Sequence, residues 1–219
     1  MLNSLHLFRK QQWVNVLGLL LWIHQPFVAV MLPTHATIKG IKGYPQTSSL
    51  SCESRSAVDW AAFFGVKIKE KKFLGSLPRS DNPEEGFVGN SNDAWGAIPP
   101  ASYGVHAAPV ADLLNRFGVP AQARKGMSWR ELRKEIANGR PVIVWVIGQM
   151  NNGSPILYHT KSGKNVIVAH YEHTMILVGY DRTSVEAIDA FSGQRRTYPL
   201  KNFLASWRVL GNMAIVYQK

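Results

Sequence analysis

Four residues of this 219-residue chain, Gln46, Cys52, His173 and Asp189, have the types and the order for nucleophilic chemistry. Cys52 is the only cysteine, and it stands six residues after Gln46 in YPQTSSLSCESR at 44–55. One thiol cannot close an intrachain disulfide. It is a buried small apolar residue, an intermolecular link or a nucleophile. A cysteine nucleophile needs a thiolate, a base, a group that orients the base and donors for an oxyanion. In the first turn of a helix, Cys52 meets unpaired N–H groups and the positive end of the dipole, which favour the anion and lower the thiol pKa. Across the loop, the Gln46 amide could join the backbone N–H of Cys52 as an oxyanion hole.

The base should be one of seven histidines. His6 and His24 lie in or beside an oily N-terminal segment, His35 in a linker, His106 at a helix start and His159 in a loop-like stretch. In VIVAHYEHTMILVGYD, His173 opens an apolar strand, which would hold it rigidly at the rim of a sheet; His170 is the second candidate. The pair His170 and His173 spells H-x-x-H, but no further ligands stand at metal-site spacing. Neither metal nor cofactor is therefore expected. Asp189 follows His173 by sixteen residues, at the end of the next predicted strand. A hairpin brings the start of one strand level with the end of the next, so Asp189 is the expected orienter. Asp181 falls in the turn GYDRTS at the other end and reads as a turn residue.

The elements that must position these residues follow from periodicity. Ser51 can cap a helix in which Ala57, Trp60, Ala61 and Phe64 share one face and which Gly65 ends. A short helix is expected over 69–74, with KIKEKK at 67–72 as a solvated face. The stretch 75–104 is rich in Gly, Pro, Asn and Ser and reads as a long irregular wall or lid of a cleft. Helices follow in HAAPVADLLNRFGV and SWRELRKEIANG. Strands are expected at RPVIVWVIG, HTMILVGYD, SVEAIDAFSG, RRTYPL and NMAIVYQ, with a short helix at LKNFLASW. Helices first and a mostly antiparallel sheet after make an α+β fold.

Residues 13–32 carry no formal charge and follow Arg9 and Lys10. They suit a cleaved signal peptide or a retained membrane anchor. The expected organisation is this segment at 1–32, a linker at 33–43 and one catalytic domain at 44–219, located outside the cell or at its surface. The net charge of +11 fits a basic soluble surface or adhesion to an anionic envelope polymer. No aromatic-basic nucleic-acid module is present.

The order Q-x5-C, then H, then D resembles that of papain-like cysteine peptidases. More closely, 44–217 is similar to the bacterial bacteriocin-processing (double-glycine leader) peptidase type, above all its exported stand-alone members. The residues that carry the resemblance are YPQTSSLSCES, LPRSDNPEEGFVGN, SYGVHAAPVADLL, GRPVIVWV, EHTMILVGYD and IDAFSG. It implies a papain-like fold and a monomeric enzyme acting on a peptide or protein. Cys52 would be the nucleophile, His173 the base and acid, Asp189 the orienter and Gln46 the oxyanion donor. Ala190 stands where members often have proline after the aspartate. No Walker motif is present, so cleavage coupled to a transporter is not expected. The same four residues would also serve an amidase or acyl-transfer enzyme, and the fold alone would serve a non-catalytic envelope-binding module.

Overall fold

In the computed structural model, which describes residues 31–218, the helical half comes first. Strand β1 (Ala36–Thr37) precedes α1 (Cys52–Phe63), α2 (Glu70–Ser76), α3 (Ala107–Arg116), β2 (Ala121–Arg124) and α4 (Trp129–Ala137). The second half is mainly strands: β3 (Val142–Ile147), β4 (Ile156–His159), β5 (Asn165–Val168), β6 (Glu172–Tyr180), β7 (Ser184–Asp189) and β8 (Arg195–Pro199). Helix α5 (Leu200–Val209) and strand β9 (Ala214–Tyr217) follow. The main sheet has the order β2-β9-β3-β6-β7-β8, with β1 added on β6, and its pairings are antiparallel. The α+β class read from the sequence holds.

Continuous β-branched and apolar runs make strands covered on both faces. Every residue of β3 and β6 is buried. Helix α1 lies against β6, and the Ser56 hydroxyl meets that of Thr174 at 3.0 Å. The large core aromatics satisfy their polar atoms as burial demands: Trp60 donates to the Pro141 carbonyl (2.7 Å) and Trp145 to that of Val105 (3.0 Å). Helix α4 opens with a complete capping box between Ser128 and Glu131.

Four local expectations change. Ser51 occupies the N-cap position of α1 but makes no capping bond; its hydroxyl donates to Glu70 Oε1 at 2.8 Å. Glu70 also receives the Thr47 N–H and the Arg55 guanidinium. One member of the solvated run 67–72 is thus a buried tie between α2 and the loop before Cys52. Strands β2, β4 and β5 were not expected. They are short, and β4 and β5 turn apolar Leu157 and Ile167 outward, 52% and 42% exposed, so the residue types show no polar–apolar alternation that would mark the inner face. The stretch expected as a linker contributes β1 and buries Ile38 and Ile41.

The irregular stretch 75–104 contains no helix beyond the last turn of α2 and only isolated bridges, Arg79 with Phe87 and Val88 with Gly104. Val88 and Tyr103 seat it on Val166 and Val168 of β5 in a small second core. The oily segment 1–32 lies outside the described residues but for Met31 and Leu32. Among the described residues, no helix is long and apolar enough to cross a membrane.

Candidate active site

The β6–β7 hairpin sets Met175 opposite Asp189. Side chains two apart on a strand share a face, so His173 lies on the Asp189 side. Its Nε2–H donates to Asp189 Oδ1 at 2.8 Å, which leaves Nδ1 with the lone pair. Asp189 is fully buried. Oδ1 also accepts the Phe191 N–H (3.0 Å), and Oδ2 accepts the Ser192 hydroxyl (2.8 Å). Burial alone would raise this carboxyl, but the bond and charge of His173, the Ser192 hydroxyl and the Phe191 N–H hold it below its usual value. Ala190 serves in this turn without proline. Its carbonyl accepts the Gln46 N–H at 2.9 Å, and Gly193, at φ +69°, closes the turn onto the Asp189 carbonyl (2.7 Å).

A cavity of about 440 Å³ opens beside the pair. Trp95 and Phe191 supply apolar wall, Gln46 and Ser49 line it from the loop before α1, and His173 and Asp189 line it from the hairpin. The Trp95 indole stands edge-on to the His173 ring at 6.2 Å and donates to the Glu172 carbonyl at 2.8 Å. The irregular stretch therefore does wall the cleft. His170, the second histidine candidate, is exposed, with Nδ1 on the Gly96 carbonyl at 2.7 Å. Asp181 is a turn residue, bonded to Thr183 and Ser184. Among the described residues, neither His170 nor His173 belongs to a cluster of ligating side chains close enough to share a metal ion.

Cys52 is the first residue of α1, as the sequence predicts, but its thiol is not in the state predicted. It is only 3% exposed, and Sγ donates to Glu53 Oε2 at 3.2 Å. Burial, then the neighbouring Glu53 and Glu172 carboxyls, push the thiol well above its ordinary pKa, although the Thr174 hydroxyl works the other way. The helix terminus alone would lower it; desolvation and two nearby carboxyls outweigh that effect. Cys52 does not line the cavity, and among the described residues no hydrogen bond joins it to His173. Gln46 lines the cavity, yet its amide donates to the Ser48 (2.8 Å) and Ser49 (2.9 Å) carbonyls while its Oε1 is buried without a partner.

The structure thus brings His173, Asp189 and Gln46 to one cavity and holds the Cys52 sulfur on Glu53. Glu53, Glu172 and Trp95 were not singled out from the sequence. For the two glutamates a signal exists in their place: one directly follows Cys52 and one directly precedes His173, each at the start of an element that buries most of its residues.

The family model described as the Peptidase_C39 like family matches residues 38–215. The curated "Uncharacterized protein YvpB" of Bacillus subtilis (strain 168) is 27% identical over 143 residues, 63% of this chain and 53% of that protein. The chain thus spans about half the length of the curated relative it matches. A crystal structure from Bacillus anthracis assigned as a C39-like peptidase has a TM-score of 0.75 at 25% identity, covering 85% of this chain and 98% of the other. A double glycine motif protease from an AMS/PCAT transporter, solved with a leader peptide, has a TM-score of 0.45 at 12% identity, covering 84% and 99%.

Proposed function

We propose that this chain, which belongs to the Peptidase_C39 like family, is a cysteine peptidase with Cys52 as nucleophile, His173 as base and acid, Asp189 as orienter and Gln46 as oxyanion donor. The observation that carries the reading is the His173–Asp189 hydrogen bond at the wall of the cleft. It fixes the tautomer that leaves Nδ1 basic and steadies the imidazolium once formed.

The chemistry follows from that proton inventory. The Cys52 thiol turns from Glu53 toward His173 and gives its proton to Nδ1. The thiolate adds to the scissile carbonyl, and the oxyanion is received by the Cys52 N–H and by the Gln46 amide once it leaves the Ser48 and Ser49 carbonyls. The C–N bond breaks as His173 returns the proton to the departing amine. Water, deprotonated by the same imidazole, then hydrolyses the thioester and restores the thiol. Trp95 and Phe191 offer the cleft an apolar wall for the peptide. The uncharged run at 13–32 supports a place outside the cytoplasm or at the membrane, and the +11 charge supports contact with an anionic envelope.

The test is digestion of a proteome-derived peptide library, read by mass spectrometry. The parent should generate new termini, and Cys52→Ala and His173→Ala, checked for folding by circular dichroism, should generate none. A folded parent that cleaves nothing, or a Cys52→Ala variant that cleaves as well as the parent, overturns the assignment.

A further inference from the structure

We propose that Glu53 is a positioning residue: its carboxylate holds the resting Cys52 thiol through an S–H···O hydrogen bond, and the nucleophile must leave Glu53 before it can pair with His173. The inference rests on Cys52 being the nucleophile. It adds a resting state in which the enzyme carries a neutral, engaged thiol.

The geometry around Glu53 is built on three sides. Oε2 accepts the thiol at 3.2 Å, and Oε1 accepts the Val105 N–H at 2.6 Å. Gly104, at φ +126°, gives the carboxylate room, since a Cβ there would lie 2.2 Å from Oε1. Glu172 closes the third side. It is 3% exposed, its Oε2 would lie 3.3 Å from that same Cβ, and its Oε1 is buried without a partner. Two carboxyls this close in a dry site do not both ionise. Glu53 has a backbone donor and Glu172 has none, so Glu172 keeps the proton and Glu53 is the acceptor that faces sulfur.

The groups that face the thiol support the same state. From α1 there is Glu53; from β6 there are Glu172 and the Thr174 hydroxyl. Behind the glutamates, the irregular stretch contributes Tyr103, whose hydroxyl meets His106, itself paired with Glu84 and, through it, Lys125. None of these puts a cation against sulfur. Gln46 is withdrawn in parallel, its amide spent on Ser48 and Ser49. Nucleophile and oxyanion donor are both engaged elsewhere while the His173–Asp189 pair is already assembled.

The experiment is iodoacetamide alkylation of Cys52 in the full chain as a function of pH, read by intact mass, for the parent, Glu53→Gln and His173→Ala. In Glu53→Gln an amide N–H replaces the acceptor facing sulfur, so it should donate to and favour the thiolate. The profile should move to lower pH, with the rate at neutral pH rising about tenfold for each unit of displacement. His173→Ala should leave the resting profile where it is. If a folded Glu53→Gln titrates with the parent, or if His173→Ala alone slows alkylation, the thiol rests on the imidazole and the proposal is overturned. Should Glu53→Gln not fold, the parent decides. A hydrogen-bonded S–H stretch at neutral pH that vanishes in Cys52→Ser supports the proposal, and thiolate ultraviolet absorbance in its place overturns it. Because alkylation needs no substrate, these outcomes separate from the peptide-library test. A moved profile with no cleavage would retain Glu53's role and remove the peptidase reading.

Discussion

Asparagine and alanine at position 189 should behave very differently, and the hydrogen bonds say why. Asp189 Oδ1 accepts two N–H groups, from His173 at 2.8 Å and Phe191 at 3.0 Å, while Oδ2 accepts the Ser192 hydroxyl at 2.8 Å. A hydroxyl can reverse its role; an N–H cannot. Arg196 Nε, 4.0 Å from Oδ2, makes a charge contact that either substitution removes. In Asp189→Asn the amide oxygen can keep both N–H groups, and the new NH2 can donate to Ser192 Oγ. The His173 tautomer then survives, and only the charge assistance is lost. Charged hydrogen bonds contribute about 1.5–3 kcal/mol against about 0.5–1.5 for neutral ones. The loss should be about 1 kcal/mol, or roughly fivefold in kcat/KM.

Asp189→Ala instead removes the acceptor for both N–H groups. The imidazole loses its tautomer preference and the support for its cation, so turnover should fall by about 10²–10⁴, the range typical of a general base. The assay is kcat/KM on any peptide that the parent cleaves, with ¹⁵N spectra of His173 to read the tautomer directly. The Nε2–H form should dominate in the parent and in Asp189→Asn, and be depleted in Asp189→Ala. Asparagine proving as damaging as alanine would refute the reasoning, as would alanine staying within tenfold of the parent. Either result would mean that the short His173–Asp189 contact does not govern the proton.

Further outcomes follow from other parts of the molecule. Gly104→Ala places a Cβ 2.2 Å from Glu53 Oε1 at a φ of +126°, so it should cost about 1–3 kcal/mol; in a Glu53→Ala background, the steric part should disappear from the thermal melting cycle. Burial raises the Glu53 carboxyl from 4.5 to about 7. The native state therefore holds a proton that the unfolded chain has lost, and stability should fall as pH rises through that window; urea titrations across it should show a shallower slope in Glu53→Gln than in the parent, the remainder coming from Glu172, which burial raises as well. Ser128→Ala breaks the α4 capping box and should lower stability by about 1 kcal/mol, leaving the Cys52 alkylation profile unmoved.

The parts of this site that were legible depend on strand and helix periods. The apolar run after His173 and the alternation up to Asp189 define two strands with one short turn, and a hairpin's arithmetic then brings the two residues together. Helix α1 was readable because Ala57, Trp60 and Ala61 repeat on one face, and its first residue is the thiol. What escaped were features decided by tertiary packing. Strands β4 and β5 are too short to carry a period signal, and they place apolar Leu157 and Ile167 on the outer face, which hides the alternation. The Ser51 hydroxyl looked like a cap because capping is a local rule, whereas Glu70, nineteen residues away, takes its proton. Trp95 sits in a segment with no period at all, and its place at the cleft depends on how 75–104 folds onto β5.

The thiol shows the same limit in its sharpest form. Position at a helix start argues for an anion, and nothing in YPQTSSLS before it argues against that. The opposing terms come from Glu53, which a surface helix would send into water, and from Glu172, which belongs to a strand more than a hundred residues away. Both glutamates stand out once the question is changed from which residues can react to which carboxylates lie in buried segments and, among the described residues, have no cation beside them such as Asp59 and Glu70 have in Arg55. A carboxylate in such a segment costs several kcal/mol unless something pairs or neutralises it, so it is seldom idle packing. Here two of them flank the proposed nucleophile and base in sequence, Cys52–Glu53 and Glu172–His173, and they meet behind the sulfur in space. On the proposed assignment, the residues that set when the site can act are written beside the residues that act, in a pattern visible only when burial is known.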